Sequence, residues 1–504
     1  MVPLKRIVRL TKRFIMPHSL KIIIRCFCLG LVYLLPGLLP AAAQQKPNII
    51  LFLVDDMGWT DVGCFGSDFY KTPNIDKLAR QGMKFTNGYA ACTVCSPSRA
   101  SILTGKYPAR LHLTDWIEGH YKPYAKLLPP AWTQYLPLAE VTVAEILKKQ
   151  GYATASIGKW HLGDDVKYYP EHQGFDLNIA GTYQGQPPQY FSPYNIPRLK
   201  NGPAGEFLTE RLTDEALKFI KDKKEVPFFL YMPFFAVHTP LQAREADIQA
   251  FKAKINPLAN HQNPVYAAMV KSVDESVGRI MALLAEQKLS ENTFVIFTSD
   301  NGGLVRGQNF QKNRITSNAP LRAGKGSNYE GGIRVPTIAV WPGKIRASSV
   351  SAVPVIGTDL FPTFAEVAGV HSKSTGLIDG QSLLPLLTGK GTFNRMALYW
   401  HYPHYHTEGA TPHSAIRQGD WKLIHFYETG KKELYNLKND IGEETELQEN
   451  EPQLTAQLYT KLENWRKKVG AQDPILNPDY DHNREKQGGA RAPRVVQDPF
   501  AINN

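Results

Sequence analysis

The sequence predicts an α/β protein, with a large, mostly parallel sheet sandwiched by helices and a smaller C-terminal antiparallel α+β domain. Three observations predict it. Near-continuous apolar runs recur, as a sheet buried on both faces requires; helical patterns lie between them; and after about residue 390 the pattern changes to short aromatic and β-branched pieces with tight turns.

The apolar runs are "NIILFLV", ending at Asp55, "YATASI", ending at Gly158, "PFFLYMPFFAV", ending at His238, and "TFVIFTS", ending at Asp300. Between them, "TPNIDKLARQG" has Thr72 as cap, Pro73 in the first turn and Gly82 as a stop. The segments "LAEVTVAEILKKQG" and "NPVYAAMVKSVDESVGRIMALLAEQ" carry apolar residues at helical spacing. Strands are then predicted in "MALYWHYPHYH", "HSAIRQGDWKLIHFY" and "KKELYNL", and a helix in "EPQLTAQLYTKLENWRKKVG". These features divide the chain into residues 1–43, a catalytic α/β domain over 44–390, a C-terminal α+β subdomain over 391–475 and an extended polar tail over 476–504. No internal repeat of solenoid period is present.

Residues 1–43 read as a secretory signal. Seven basic residues and no acids precede the apolar run "CFCLGLVYLLPGLLPAAA", which ends in small residues. Pro36, Pro40 and the short apolar core argue against a spanning helix, which needs about 20 apolar residues. The expectation is an exported protein, periplasmic or secreted, with no stable membrane association. Taking those seven charges from the formal +12 leaves +5, a mild excess that suits an anionic substrate. No basic run with interleaved aromatics points to nucleic acid. Of five cysteines, Cys64, Cys92 and Cys95 remain after cleavage, too few for a disulfide scaffold.

In open α/β sheets ligands bind beyond the carboxyl ends of the strands. Asp55 and Asp56 stand at one such end, Asp300 and Asn301 at another. Four oxygen donors suit a hard cation, Ca²⁺ or Mg²⁺, although each pair alone also reads as a turn cap. Lys159 and His161 in "GKWHLG" and His238 in "VHTP" add cationic groups at two further ends, making an anion site. "APLRAGKGSNYEGGIRVP" places Lys325 between glycines that permit close backbone approach, followed by Glu330 and Arg334.

Cys92 and Cys95 have C-x-x-C spacing, but a thioredoxin-like pair belongs after the first strand of a small domain, and a zinc clip needs a second pair of ligands. Pro97 and Gly105 place Cys95 at a helix N-terminus, which favours anions and predicts a lowered thiol pKa.

"CSPSRASILTG" resembles the signature of the type I, formylglycine-dependent sulfatases at every fixed position. "PNIILFLVDDMGW", "TPNIDKLARQG", "GKWHLG", "QGFD", "VHTP", "SDNGG", "GKGSNYEGGIRVP" and "ELYNL" follow the same family's order, so the likeness covers nearly the whole mature chain. It implies an alkaline-phosphatase-like fold and hydrolysis of sulfuric esters. It further implies that a maturase oxidises Cys95 to formylglycine, whose hydrate supplies the nucleophile. Asp55, Asp56, Asp300 and Asn301 would hold one Ca²⁺ together with the modified Cys95. Arg99 would orient the hydrate, and Lys159, His161, His238 and Lys325 would surround the sulfate. The proton for the leaving alcohol is then expected from His238 or Lys325, and His161 is assigned the later deprotonation that expels sulfate. The stretch "LNIAGTYQGQPPQYF" departs from many relatives, so no substrate contact carries over there.

The resemblance is closest to bacterial exported sulfatases of carbohydrate metabolism, and implies exo-acting removal of sulfate from galactose or N-acetylgalactosamine. Asp115, Trp116, His401 and His404 are candidate sugar contacts, with structural packing the competing reading. Two alternatives stand beside this one: a phosphate or phosphonate monoester hydrolase of the same superfamily, and a non-catalytic sulfoglycan-binding protein.

Overall fold

The structure is a computed structural model that describes residues 46–306, 314–370 and 376–490. The predicted signal and the end of the tail lie outside the described residues. Strand β1 (Asn48–Val54) shows why the apolar runs are continuous: all its residues are buried. Ile50, Phe52 and Val54 enter one core layer, and Ile49, Leu51 and Leu53 the other. A pleated strand alternates faces, so both faces must be apolar when both are covered.

Seven further strands complete this sheet: β2 (Met83–Phe85), β3 (Ala153–Ile157), β4 (Leu177–Ile179), β5 (Phe228–Pro233), β6 (Thr293–Ser299), β7 (Thr337–Val340) and β8 (Ser349–Ser351). Their order is β8-β2-β7-β6-β1-β5-β3-β4. Only β7 runs against the others, being antiparallel to both β2 and β6. Helices α1 (Pro73–Gln81), α4 (Leu208–Lys223) and α5 (Pro264–Glu286) cover one face. Helices α2 (Cys95–Thr104), α3 (Val143–Lys149) and α6 (Leu360–Val367) cover the other.

Two predicted elements are shorter than their patterns. Helix α3 begins only at Val143, because Thr142 and Glu145 form a reciprocal capping box that starts the helix there. The run from 227 to 237 is strand only as far as Pro233; beyond it the chain pairs locally with the end of β1, Asp55 N donating to Ala236 O and Val237 N to Asp55 O. That return brings His238 to the edge where β1 ends.

The C-terminal sheet is antiparallel and ordered as in the chain: β9 (Leu398–Tyr402), β10 (His413–Gln418), β11 (Trp421–Phe426) and β12 (Lys432–Asn436). Helix α7 (Pro452–Val469) packs on it through Leu458, Leu462 and Trp465, in a core shared with Tyr89, Ile333 and Ile356. Part of the tail is tied down, Ile475–Leu476 pairing with Leu127–Leu128 and Gly489–Ala490 with His120–Tyr121. A buried charge cluster joins this sheet to the glycine-rich loop: Lys422 Nζ lies 2.8 Å from both Glu330 and Glu443, and Arg334 Nε 2.6 Å from Glu330. Burial works against the Glu330 charge, but Lys422 and Arg334 hold its carboxyl well below the usual range. Glu443 goes the other way, pushed up to about 7 by burial despite Lys422 and further by Glu330. Among the described residues, no helix is long and apolar enough to cross a membrane.

Candidate active site

Because β1 and β6 are parallel neighbours with Val54 opposite Ser299, the acidic pairs that follow them emerge side by side. Asp56 N donates to Asp300 Oδ1 at 3.2 Å, and Asn301 Nδ2 to Asp56 Oδ1 at 2.8 Å. Lys159, just beyond β3, donates from Nζ to Asp55 Oδ2 at 2.8 Å. Lys325, from the glycine-rich loop, donates to Asp56 Oδ2 at 2.8 Å, and its Nζ lies 3.5 Å from Cys95 Sγ.

Cys95 is the first residue of α2, after an extended Val94 whose side chain makes no cap, and Gly105 ends the helix at φ +70°. The thiol pKa is raised, against the expectation from the helix N-terminus. Burial is the main cause, and the nearby Asp55 and Asp300 charges add to it while Lys159 and Lys325 oppose it. One turn further on, buried Arg99 clasps Asp300 Oδ2 with Nε at 2.9 Å and Nη2 at 2.7 Å, and donates from Nη1 to Lys159 O at 2.9 Å.

Ligand atoms of Asp55, Asp56, Cys95 and His238 lie within 4.8 Å of one another. Among the described residues, Asp55 Oδ1 and Asn301 Oδ1 are buried without a hydrogen-bond partner, Arg99 Nη2 lying 3.4 Å from the first. Orphaned acceptors of this kind are costly unless something positive sits against them. Burial pushes the Asp55 carboxyl up to about 8, with Lys159 pulling it down and Asp300 raising it. Crowded, oxygen-rich and under-satisfied, this donor set fits a hard divalent cation. Asp300 has both oxygens engaged, with Arg99 on Oδ2 and Asp56 N on Oδ1.

His161 has φ +60°, its backbone N–H donating to Thr182 O at 3.0 Å. Its Nε2 meets the Ile117 carbonyl, which can only accept, so the ring proton sits on Nε2. Nδ1 is left buried with no partner among the described residues. Burial, then Lys159, keeps this imidazole neutral, far below its usual pKa. His238 donates from Nδ1 to Thr239 O at 3.0 Å and turns Nε2 toward Asp56 Oδ2, 3.5 Å away. Burial and the Lys325 charge lower its pKa to about 3.

The proposed sugar contacts fall into different surroundings. Buried Asp115 accepts from Trp116 N, Tyr402 OH and His120 N, so it organises neighbouring rings and has little capacity left for a ligand. Burial works against its charge, but His404 and His120 hold it down to about 2. His401 has both ring nitrogens engaged, with Tyr427 OH and Gln472 O, each at 2.9 Å. His404 Nε2 is 2.8 Å from Thr114 Oγ1. Trp116 is half-buried, its ring 6.4 Å from His161 and 5.3 Å from His120.

Sequence reasoning passed over several residues here. The Ile117 carbonyl orients His161, and Ile117 N is held by Ser96 Oγ of α2 at 3.1 Å. Gly185, in the stretch "LNIAGTYQGQPPQYF", lies so close that a Cβ would come 2.5 Å from the His161 ring. His120 and His406 stack edge to face at 4.8 Å. His406 was within sight, two residues beyond His404 in "YWHYPHYH", whereas nothing in the sequence marks a backbone carbonyl. Cys92 is free and buried against Val94 and Tyr402, and Cys64 is free as well, so no bridge joins them.

The sulfatase family model matches residues 47–370, and a model described as N-sulphoglucosamine sulphohydrolase, C-terminal, matches 324–468. A sulfatase of Formosa agariphila is 35% identical over 84% of this chain and 88% of its own. The N-acetylgalactosamine-6-sulfatase of Canis lupus familiaris is 38% identical over 72% of this chain and 70% of its own. Among solved structures, Ps i-CgsB in complex with k-i-k-neocarrahexaose superposes with a TM-score of 0.70 at 31% identity, over 87% of this chain and 95% of that one.

Proposed function

Because the chain belongs to the sulfatase family and is a sulfuric ester hydrolase, we propose that it removes sulfate from a sulfated carbohydrate. The proposed reaction is exo-acting, on galactose or N-acetylgalactosamine sulfate. The observation that carries this reading is the setting of Cys95: it opens α2 with Sγ 3.5 Å from Lys325 Nζ and in one cluster with Asp55, Asp56 and His238. The names of the N-acetylgalactosamine-6-sulfatase relative and of the carrahexaose complex support a sugar as the alcohol.

Oxidation of Cys95 to formylglycine by a maturase would supply a hydrated aldehyde, whose hydroxyl would serve as the nucleophile. Asp55, Asp56, Asp300, Asn301 and the modified Cys95 would hold a Ca²⁺ ion, which would supply positive charge to an anionic ester. Charge balance supports the cation. Asp55, Asp56 and Asp300 face Arg99, Lys159 and Lys325, and burial, which raises the Asp55 carboxyl, leaves that group short of positive charge that a bound cation would supply.

The chain's own groups divide the remaining work. Lys159 and Lys325 stabilise the charge that gathers on the sulfate oxygens during attack at sulfur. Arg99 holds Asp300 and the backbone at Lys159 in place. Lys325 is the better proton source for the leaving alcohol, because the Nδ1–H of His238 is spent on Thr239 O and its Nε2 faces a carboxylate. His161 is the base: its free, buried Nδ1 takes the proton whose loss expels sulfate.

The test is a screen of defined sulfated mono- and disaccharides with protein coexpressed with a maturase, sulfate release being measured and the Cys95 peptide checked by mass spectrometry. Release from a galactose or N-acetylgalactosamine sulfate is expected. A formylglycine-bearing protein that prefers aryl phosphate to aryl sulfate, or that frees no sulfate from any glycan, refutes the reading.

A further inference from the structure

Next to Lys325 stands a histidine with an unused, oriented donor. His406 is 5% exposed. Its Nδ1 accepts the Glu408 N–H at 3.2 Å, which puts the ring proton on Nε2, and among the described residues nothing accepts from Nε2. The His120 ring packs edge to face against it at 4.8 Å, and His120 is itself fixed by Trp116 Nε1–H at 3.0 Å and by the strand pairing of its backbone with the tail. A second, independent feature is beneath the ring. Gly326, adjacent to Lys325, lies so close that a Cβ there would come 2.2 Å from His406 Nδ1. The absence of a side chain at 326 is what lets the imidazole lie beside Lys325.

We propose that His406 is a specificity-determining residue: its Nε2–H donates to a hydroxyl or ring oxygen of the sugar whose sulfate is being removed. The inference rests on the sulfated-carbohydrate reading above and names how that sugar is recognised. A neutral imidazole offering one fixed donor suits an uncharged oxygen better than a second sulfate, which calls for cationic or multiple donors. The half-buried Trp116 indole, 5.3 Å from His120, supplies a flat apolar surface near the same wall for the C–H face of a sugar ring. The Lys325 side chain, which meets Cys95, ties this wall to the reacting centre.

The test compares kcat/KM on the best sulfated sugar of the screen with kcat/KM on 4-nitrophenyl sulfate, which has no sugar to read. His406→Ala is expected to lower the sugar-to-aryl ratio by roughly tenfold to a hundredfold, the cost of leaving a buried polar partner unpaired. His406→Gln, whose amide can still donate, is expected to recover part of that ratio. A ratio unchanged in both variants overturns the proposal, whether the two activities fall together or neither moves. Wild-type enzyme that cleaves the aryl ester but no sulfated sugar overturns the carbohydrate reading itself, an outcome visible before any variant is made.

Discussion

Lys422→Met isolates the buried charge cluster that holds the Lys325 loop against the C-terminal sheet. The Lys422 ammonium is fully buried, 2.8 Å from a carboxylate oxygen of Glu330 and 2.8 Å from one of Glu443. Glu330 keeps Arg334 and the Tyr89 hydroxyl when the lysine is lost. Among the described residues, Glu443 keeps only the Glu330 backbone N–H, on its other oxygen. Breaking a buried pair by removing one partner costs about 3–5 kcal/mol. Part of that cost is avoidable, because Glu443 can take a proton and donate it to Glu330. The Glu443 carboxyl already stands raised to about 7 from 4.5. Stability tied to its neutral form is therefore full below pH 4.5 and lost as pH rises through 7. Without Lys422 the folded value moves higher still, so the deficit of the variant grows above pH 7, at up to about 1.4 kcal/mol per pH unit. Urea unfolding followed by tryptophan fluorescence is expected to show a deficit of about 3–5 kcal/mol at pH 8 and a clearly smaller one at pH 6. Adding Glu443→Gln is expected to restore much of it, since the amide donates where the ammonium did. A deficit below about 1 kcal/mol at pH 8, or one equal at both pH values, refutes the reasoning.

His161→Ala is expected to cut sulfate release by about 10²–10⁴-fold while leaving the fold intact by circular dichroism, because it removes the Nδ1 proposed as the base; a loss under tenfold points to another base. Titrating Ca²⁺ into chelator-treated protein is expected to stabilise it by about 2.7 kcal/mol at a hundredfold excess over Kd, and Asp55→Asn to abolish that shift in the melting curve. His261 gives a pH signature away from the active centre. Burial disfavours its charge, but the Asp61 carboxylate 3.4 Å away wins and raises its pKa above 6.5. Its stabilisation is complete below pH 6.5 and disappears as pH rises through the raised value, so His261→Gln should cost more at pH 6 than at pH 9, where thermal unfolding of the two proteins should converge.

The strands were legible because burial on both faces forces unbroken apolar sequence: "NIILFLV" and "TFVIFTS" correspond residue for residue to β1 and β6. Pattern alone overran where a local hydrogen bond set the boundary, as at the Thr142 capping box, or where apolar residues left the sheet while staying buried, as after Pro233. The polar residues at the strand ends were legible too, since parallel strands bring their carboxyl ends to one edge. Asp115 and His401 were harder to read. An acid or imidazole beside aromatics looks the same in a string of letters whether it faces a ligand or spends its oxygens and nitrogens on Tyr402, Tyr427 and Gln472.

By itself, then, the sequence determined the sheet, the polar residues at the edge where its parallel strands end and the place of Cys95 at the start of α2, because these depend on periodicity and on motifs contiguous in the chain. Tertiary structure decided the rest. The raised Cys95 thiol, the bare Nδ1 of His161, the orphaned oxygens of Asp55 and Asn301 and the seat of His406 over Gly326 all arise from groups distant in sequence brought together in a buried volume. Charge and proton position there follow from distance and from the loss of water, and neither is written in the order of residues.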